Sequence, residues 1–175
     1  MSKEWTGSVH VAAPVEQVYA YLADFTRHGE WDEATEKVEH LEGQGVGAKY
    51  RAYERLNSVL KLGDKDSLFG NQAGVTHREV TSLVPHSHIE WHTFPVPKLG
   101  ISADCSFELS PEGDGTTVRQ TVRINTPSVI DAMEKVIFRN MDAKQQAQWD
   151  QNLHSLKTMV ERTAPVREPA LAGDD

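Results

Sequence analysis

The stretch Val9-His10-Val11-Ala12-Ala13-Pro14-Val15-Glu16-Gln17-Val18-Tyr19-Ala20-Tyr21-Leu22, followed closely by Trp31-Asp32, decides how the rest of the chain is read. Val9 and Val11 alternate with polar neighbours as in a half-buried strand. Pro14 then stands where the first turn of a helix has no use for an N–H. Val15, Val18, Tyr19 and Leu22 recur at helical spacing, so a strand hands over directly to a short amphipathic helix. A turn through Arg27, His28 and Gly29 delivers Trp31.

Outward from this stretch, the pattern predicts strand one over residues 5–12, a helix over 15–24 and a second helical turn over 26–31. Strands follow over 35–41 and 48–56, joined by the glycines at 43, 45 and 47. Those glycines connect two strands with no helix after them, which makes them a turn and not a phosphate cradle. Between Asn57 and Gly74 the periodicity breaks, and two readings stand: a glycine-hinged flap carrying Leu68 and Phe69, or a surface excursion pinned by them. Further strands are expected over 75–84, 88–94, 101–109 and 116–125, the last two flanking the hairpin signal Pro111-Glu112-Gly113-Asp114-Gly115. Thr126-Pro127-Ser128 supplies a cap hydroxyl and a first-turn proline for a last helix running to residue 162.

The opening phrase, a proline-started helix after a strand with tryptophan soon after, resembles the polyketide cyclase/dehydrase and lipid-transport group of the SRPBCC superfamily, whose members are START-related and birch-pollen-allergen-like. The resemblance covers roughly residues 5–162, in element order as well as motif. It implies an α+β helix-grip fold: a bent seven-stranded antiparallel sheet around a long C-terminal helix, with two short helices after strand one. It also implies a ligand cavity between sheet and helix.

Composition sets the outer limits. A chain of 175 residues with 38% hydrophobic content fits one ligand-binding domain, 1–163, and the proline-containing stretch 164–175 reads as a disordered tail. The net charge of −8 repels a polyanion, so nucleic acid is not an expected partner. Cys105 is the only cysteine, which rules out an intramolecular disulfide and a thiolate metal cage and suits a reducing compartment. With no apolar signal core at the start and no run of roughly 18 apolar residues, a cytoplasmic location without integral membrane association is expected. The sequence leaves the oligomeric state open.

Strand alternation proposes the residues that line the cavity. On the fifth strand Trp91 and Thr93 share a face with Ile89; on the sixth, Cys105 and Phe107 do; on the seventh, Val118, Gln120 and Val122 do. Helical spacing adds Met133, Ile137 and Met141 from the last helix. Gln120 is a lone amide in an apolar row, which reads either as a hydrogen bond that orients a ligand or as a bond to the facing helix. Tyr53, Arg78, Asn140 and Lys144 are further polar candidates.

Other chemistries find less support. His86, His88 and His92 with Glu90 fall opposite Ile89 and Trp91, on a solvated outer face, so no metal site is expected. Glu30, Asp32 and Glu33 flank Trp31 as a solvated rim, with Trp31 structural first and a cavity entrance second. Cys105 lacks an obvious base and reads as a small hydrophobe. No nucleophile elbow, phosphate loop, zincin or dinucleotide motif is present, and no cofactor is expected. The reading with most support is binding or carriage of a small apolar ligand, such as a lipid, polyketide or isoprenoid-like molecule. An enzyme of polyketide cyclase/dehydrase type is the alternative, and a protein-interaction module the second; no catalytic residue is assigned.

Overall fold

The computed structural model describes residues 2–55, 73–96, 100–127 and 141–163. Its strands are β1 (Ser2–Val11), β2 (Thr35–Glu42), β3 (Lys49–Arg55), β4 (Ala73–Val84), β5 (His88–Val96), β6 (Ile101–Glu112) and β7 (Gly115–Asn125). Helix α1 (Val15–Ala23) and a 3₁₀ segment (Phe25–Glu30) follow β1, and helix α2 is described over Met141–Thr163. The strands form one antiparallel sheet in the order β1-β7-β6-β5-β4-β3-β2. This is the helix-grip fold, and the element order expected from the sequence holds.

Each local choice has a physical cause. β7 is rich in threonine, valine and isoleucine, whose branched side chains suit a pleated surface. Asp24 caps the 3₁₀ segment by accepting from the Thr26 backbone N–H at 3.1 Å, which turns the chain sharply after α1. Gly43, Gly45 and Gly47 all take positive φ between β2 and β3, as the glycine cluster required.

Alternation selects one buried face. Across the middle of the sheet Val80, Trp91, Cys105, Val122 and Trp5 stand in register, and one rung away stand Ile89, Phe107, Gln120 and Gly7. Trp31, Phe25 and His28 cover this face from the α1 side, with ring centroids 5.7 Å from Trp31 to Phe107 and 5.4 Å from Phe25 to Trp91. Helix α2 buries Asn152, Leu153, Leu156 and Val160, a helical stripe, against β1. Gly7 makes that approach close: a Cβ there would lie 2.8 Å from Leu153 Cδ1.

The flap-or-excursion segment lies outside the described residues except for residues 73 and 74, which begin β4. The first half of the expected last helix, with Met133 and Ile137, and the expected tail 164–175 also lie outside them; Met141 opens the described part of α2. No helix among the described residues is long and apolar enough to cross a membrane.

Candidate functional site

A cavity of about 90 Å³ lies between the sheet and α2. Trp91, Cys105, Val122 and Trp149 give it an apolar wall, while Asp32, Arg78, Thr93, Gln120 and Asn152 give it a polar one, with Trp31 between them. A smaller hollow on the β1 side shares Gln120, Val122 and Trp149, where Trp149 meets Trp5 edge-on at 4.6 Å. The volume holds several water molecules, since one needs roughly 10–15 Å³.

The polar wall is the outer shell of a buried charge network. Arg78, 5% exposed, places Nη2 at 2.7 Å from Glu54 Oε1 and 3.8 Å from Asp32 Oδ2. Its Nη2 also donates to Thr35 Oγ1 at 2.7 Å. Burial works against the Arg78 charge, but Glu54 and Asp32 more than offset it and hold its pKa above the ordinary value. Thr35 Oγ1 stands 2.7 Å from Asp32 Oδ2 and 2.9 Å from Glu54 Oε2. One hydroxyl carries one hydrogen, so it serves one of the two carboxylates at a time. Glu54 Oε1 also accepts from Thr76 at 3.0 Å.

His28 closes the network on its inner side. Its Nε2 lies 3.0 Å from the Leu22 carbonyl, which only accepts, so Nε2 carries the hydrogen and Nδ1 accepts from Arg78 Nη1 at 3.2 Å. Burial first, and the Arg78 charge second, push the His28 pKa down to about 3, so the ring is neutral. Asp32 is fixed from three sides: the Ala34 backbone N–H at 3.1 Å, Asn152 Nδ2 at 2.9 Å and Thr35. Burial raises its pKa, with Arg78 pulling the other way.

Three buried atoms of lining residues have no hydrogen-bond partner among the described residues: Trp31 Nε1, Arg78 Nε and Gln120 Oε1. Two are donors and one an acceptor. Burying a polar group unpaired costs about 1–3 kcal/mol, and all three of these atoms belong to residues that line the one cavity.

Of the residues proposed from the sequence, Trp91, Thr93, Cys105, Gln120 and Val122 line this cavity. Phe107 and Val118 are fully buried on the same face, in the core beside it. Met133 and Ile137 lie outside the described residues, as do Asn140 and the side chains of Met141 and Lys144. Tyr53 bonds outward to Glu39 at 3.0 Å. Burial pushes the Cys105 thiol up to about 12, which keeps it protonated and unsuited to nucleophilic attack at neutral pH. The outer-face histidines have local partners, His92 with Asp104 at 2.6 Å and His88 with Glu90 at 3.5 Å. Among the described residues no group of three histidine, cysteine or carboxylate side chains is placed to hold a metal.

Asp32 is not the solvated rim that its charged neighbours suggest; it is the one member of that run turned into the cavity wall. The missed members are His28, Glu54, Trp149 and Asn152. One local signal was available: Asp32 followed by Ala34 and Thr35 forms an Asx-type turn, which ties the carboxylate to its own backbone.

A model of the family described as polyketide cyclase / dehydrase and lipid transport matches residues 3–161. The chain belongs to that family. Its fold is similar to that of the Zhui aromatase/cyclase from Streptomyces sp. R1128, at 18% identity and a TM-score of 0.69, over 93% of this chain and 95% of that one. It is also similar to the di-domain ARO/CYC StfQ from the steffimycin biosynthetic pathway, at 15% identity and a TM-score of 0.67, over 93% of this chain and 51% of that one. Ara h 8.0201 is similar at 10% identity and a TM-score of 0.61, over 93% of this chain and 100% of that one. At these identities the likeness is one of fold. No curated protein matches the chain.

Proposed function

We propose that this chain binds and carries a small, largely apolar molecule in the cavity between the sheet and α2, with an oxygen-bearing end directed at Arg78, Trp31 and Gln120. The observation that carries this reading is the set of unpartnered Trp31 Nε1, Arg78 Nε and Gln120 Oε1 on residues around one cavity whose other wall is apolar. Apolar surface supplies affinity and a few placed polar groups supply orientation. Native mass spectrometry of the freshly purified protein tests it. The expected result is an adduct above the mass of the chain that is lost on denaturation and is absent from a Val122→Phe variant, whose added ring fills the cavity. A bare chain mass, together with no thermal stabilisation by any apolar probe, contradicts it.

The second reading, cyclisation or dehydration of a bound polycarbonyl chain, is favoured by Asp32, whose carboxyl pKa is raised by burial beside the Arg78 guanidinium. On that reading the Asp32 carboxylate takes a proton from the carbon beside a substrate carbonyl, Arg78 stabilises the enolate oxygen that forms, and Asp32 returns the proton to the hydroxyl that leaves as water. The family's description and the Zhui aromatase/cyclase support it as a class of chemistry. Asp32→Asn then abolishes turnover of a polyketone analogue while the analogue still binds.

A further inference from the structure

We infer that the cavity selects neutral ligands that carry a hydrogen-bond acceptor beside a donor over carboxylates of the same shape. The inference deepens the carrier reading and rests on it, because it states which chemical class the cavity admits. Its basis is the account of charge and hydrogen-bond valence around the polar wall.

The charge balance comes first. One guanidinium faces two carboxylates, Glu54 at 2.7 Å and Asp32 at 3.8 Å, so its charge is already matched before any ligand enters. Among the described residues no second cation lines the cavity: His28 is neutral and its Nδ1 accepts from Arg78, and the Cys105 thiol is uncharged. A carboxylate ligand reaching for Arg78 therefore comes close to two fixed anions in a setting where water screens poorly. A guanidinium in a binding site usually marks a carboxylate or phosphate partner, but here the protein has occupied it with its own carboxylates.

The free valences come second. Trp31 Nε1 and Arg78 Nε are unpaired donors, and Gln120 Oε1 is an unpaired acceptor. A carboxylate offers acceptors alone and leaves Gln120 unpaired. A neutral hydroxyketone, enol or amide offers both kinds of group. A site built to hydrogen-bond a polar group discriminates strongly because a mismatch leaves buried atoms without partners.

Two probes of nearly equal size separate these cases: benzamide and benzoate. Dissociation constants by ligand-observed NMR on the full chain at pH 7 are expected to place benzamide roughly tenfold or more tighter than benzoate, like-charge contact with Glu54 and Asp32 being the discriminating term. In Glu54→Gln, Arg78 loses one of its two anions, and the preference for benzamide over benzoate is expected to shrink by roughly tenfold. Where circular dichroism shows that Glu54→Gln is not folded, Asp32→Asn makes the same test from the other carboxylate. Benzoate binding as tightly as benzamide to the unmodified protein overturns the inference and leaves the carrier reading standing. A benzamide preference untouched by both variants also overturns it, since the carboxylates then do not set the selection. Failure of both probes to bind at millimolar concentration removes the carrier reading itself, and this inference with it.

Discussion

The buried face of one sheet carries two chemistries. On β6 and β7 the inward row is Ala103, Cys105, Phe107 and Leu109 beside Val118, Gln120 and Val122, apolar except for one amide. On β3 and β4 the inward row is Ala52 and Glu54 beside Thr76, Arg78 and Val80, with charged and hydroxylated side chains buried to the same degree. The first is held by area removed from water, which is tolerant of shape. The second is held by mutual satisfaction, which fails as a unit when one member leaves. The cavity lies where the two meet, so the sheet gives it a greasy wall and a polar wall without any inserted element.

Acid should break the charged side first. His28 is held neutral down to about pH 3 in the folded protein, whereas the unfolded ring takes up its proton near 6.5. The unfolded state then binds more protons across that window, so stability falls as pH drops from about 6.5 to about 3, by at most roughly 5 kcal/mol. The raised pKa of Asp32 acts in the opposite sense: the folded state keeps that proton to higher pH, so its contribution to stability rises as pH falls. Urea denaturation across pH 7 to 3 should give a net decline, and a His28→Gln variant should lose most of the slope. An equal slope in that variant would show that the ring is not the source.

Removing the cation is the next largest effect. Arg78→Ala leaves Glu54 and Asp32 buried without it and is expected to cost about 3–5 kcal/mol in chemical denaturation. Adding Glu54→Leu to Arg78→Leu should recover much of that loss, because an apolar pair replaces a charged one. Additive losses in the double variant would mean that the two residues are not coupled.

The finest test sets two mild changes side by side. Ile89→Leu, a volume-conserving swap on the apolar side, is expected to cost under about 1.5 kcal/mol. Arg78→Lys keeps the charge but cannot reach Glu54, Thr35 and His28 together, and it should cost more than the Ile89 change. The reverse order would collapse the distinction between the two rows.

The same distinction explains what was legible in the sequence. β6 and β7 alternate cleanly, so Cys105, Phe107, Val118 and Gln120 fall on the correct face by counting in twos. β4 does not: valine occurs at both parities, with Val75 and Val84 exposed and Val80 buried, and the register shifts between Val80 and Ser82. Parity therefore does not set Arg78 apart from its exposed neighbours, and it stands in the sequence only as one of four further polar candidates. Glu54 and Asp32 fail for a related reason, because a charge buried by a partner distant in sequence has the same local pattern as a charge in water. On α2, Leu153, Leu156 and Val160 recur at helical spacing as a buried stripe, but Asn152 becomes visible only when Asp32 is placed against it.

The most direct test of the central claim, that the cavity takes up a neutral oxygen-bearing molecule, is a benzamide titration followed through the indole N–H signals. The chain has four tryptophans, of which Trp31, Trp91 and Trp149 line the cavity and Trp5 lines only the smaller hollow beside it. Saturable shifts are expected for the three, with the Trp31 Nε1–H moving furthest downfield as it gains an acceptor, and loss of all three in Val122→Phe. A titration in which the Trp31 signal stays fixed while the protein saturates, or in which Trp5 alone moves, would contradict it.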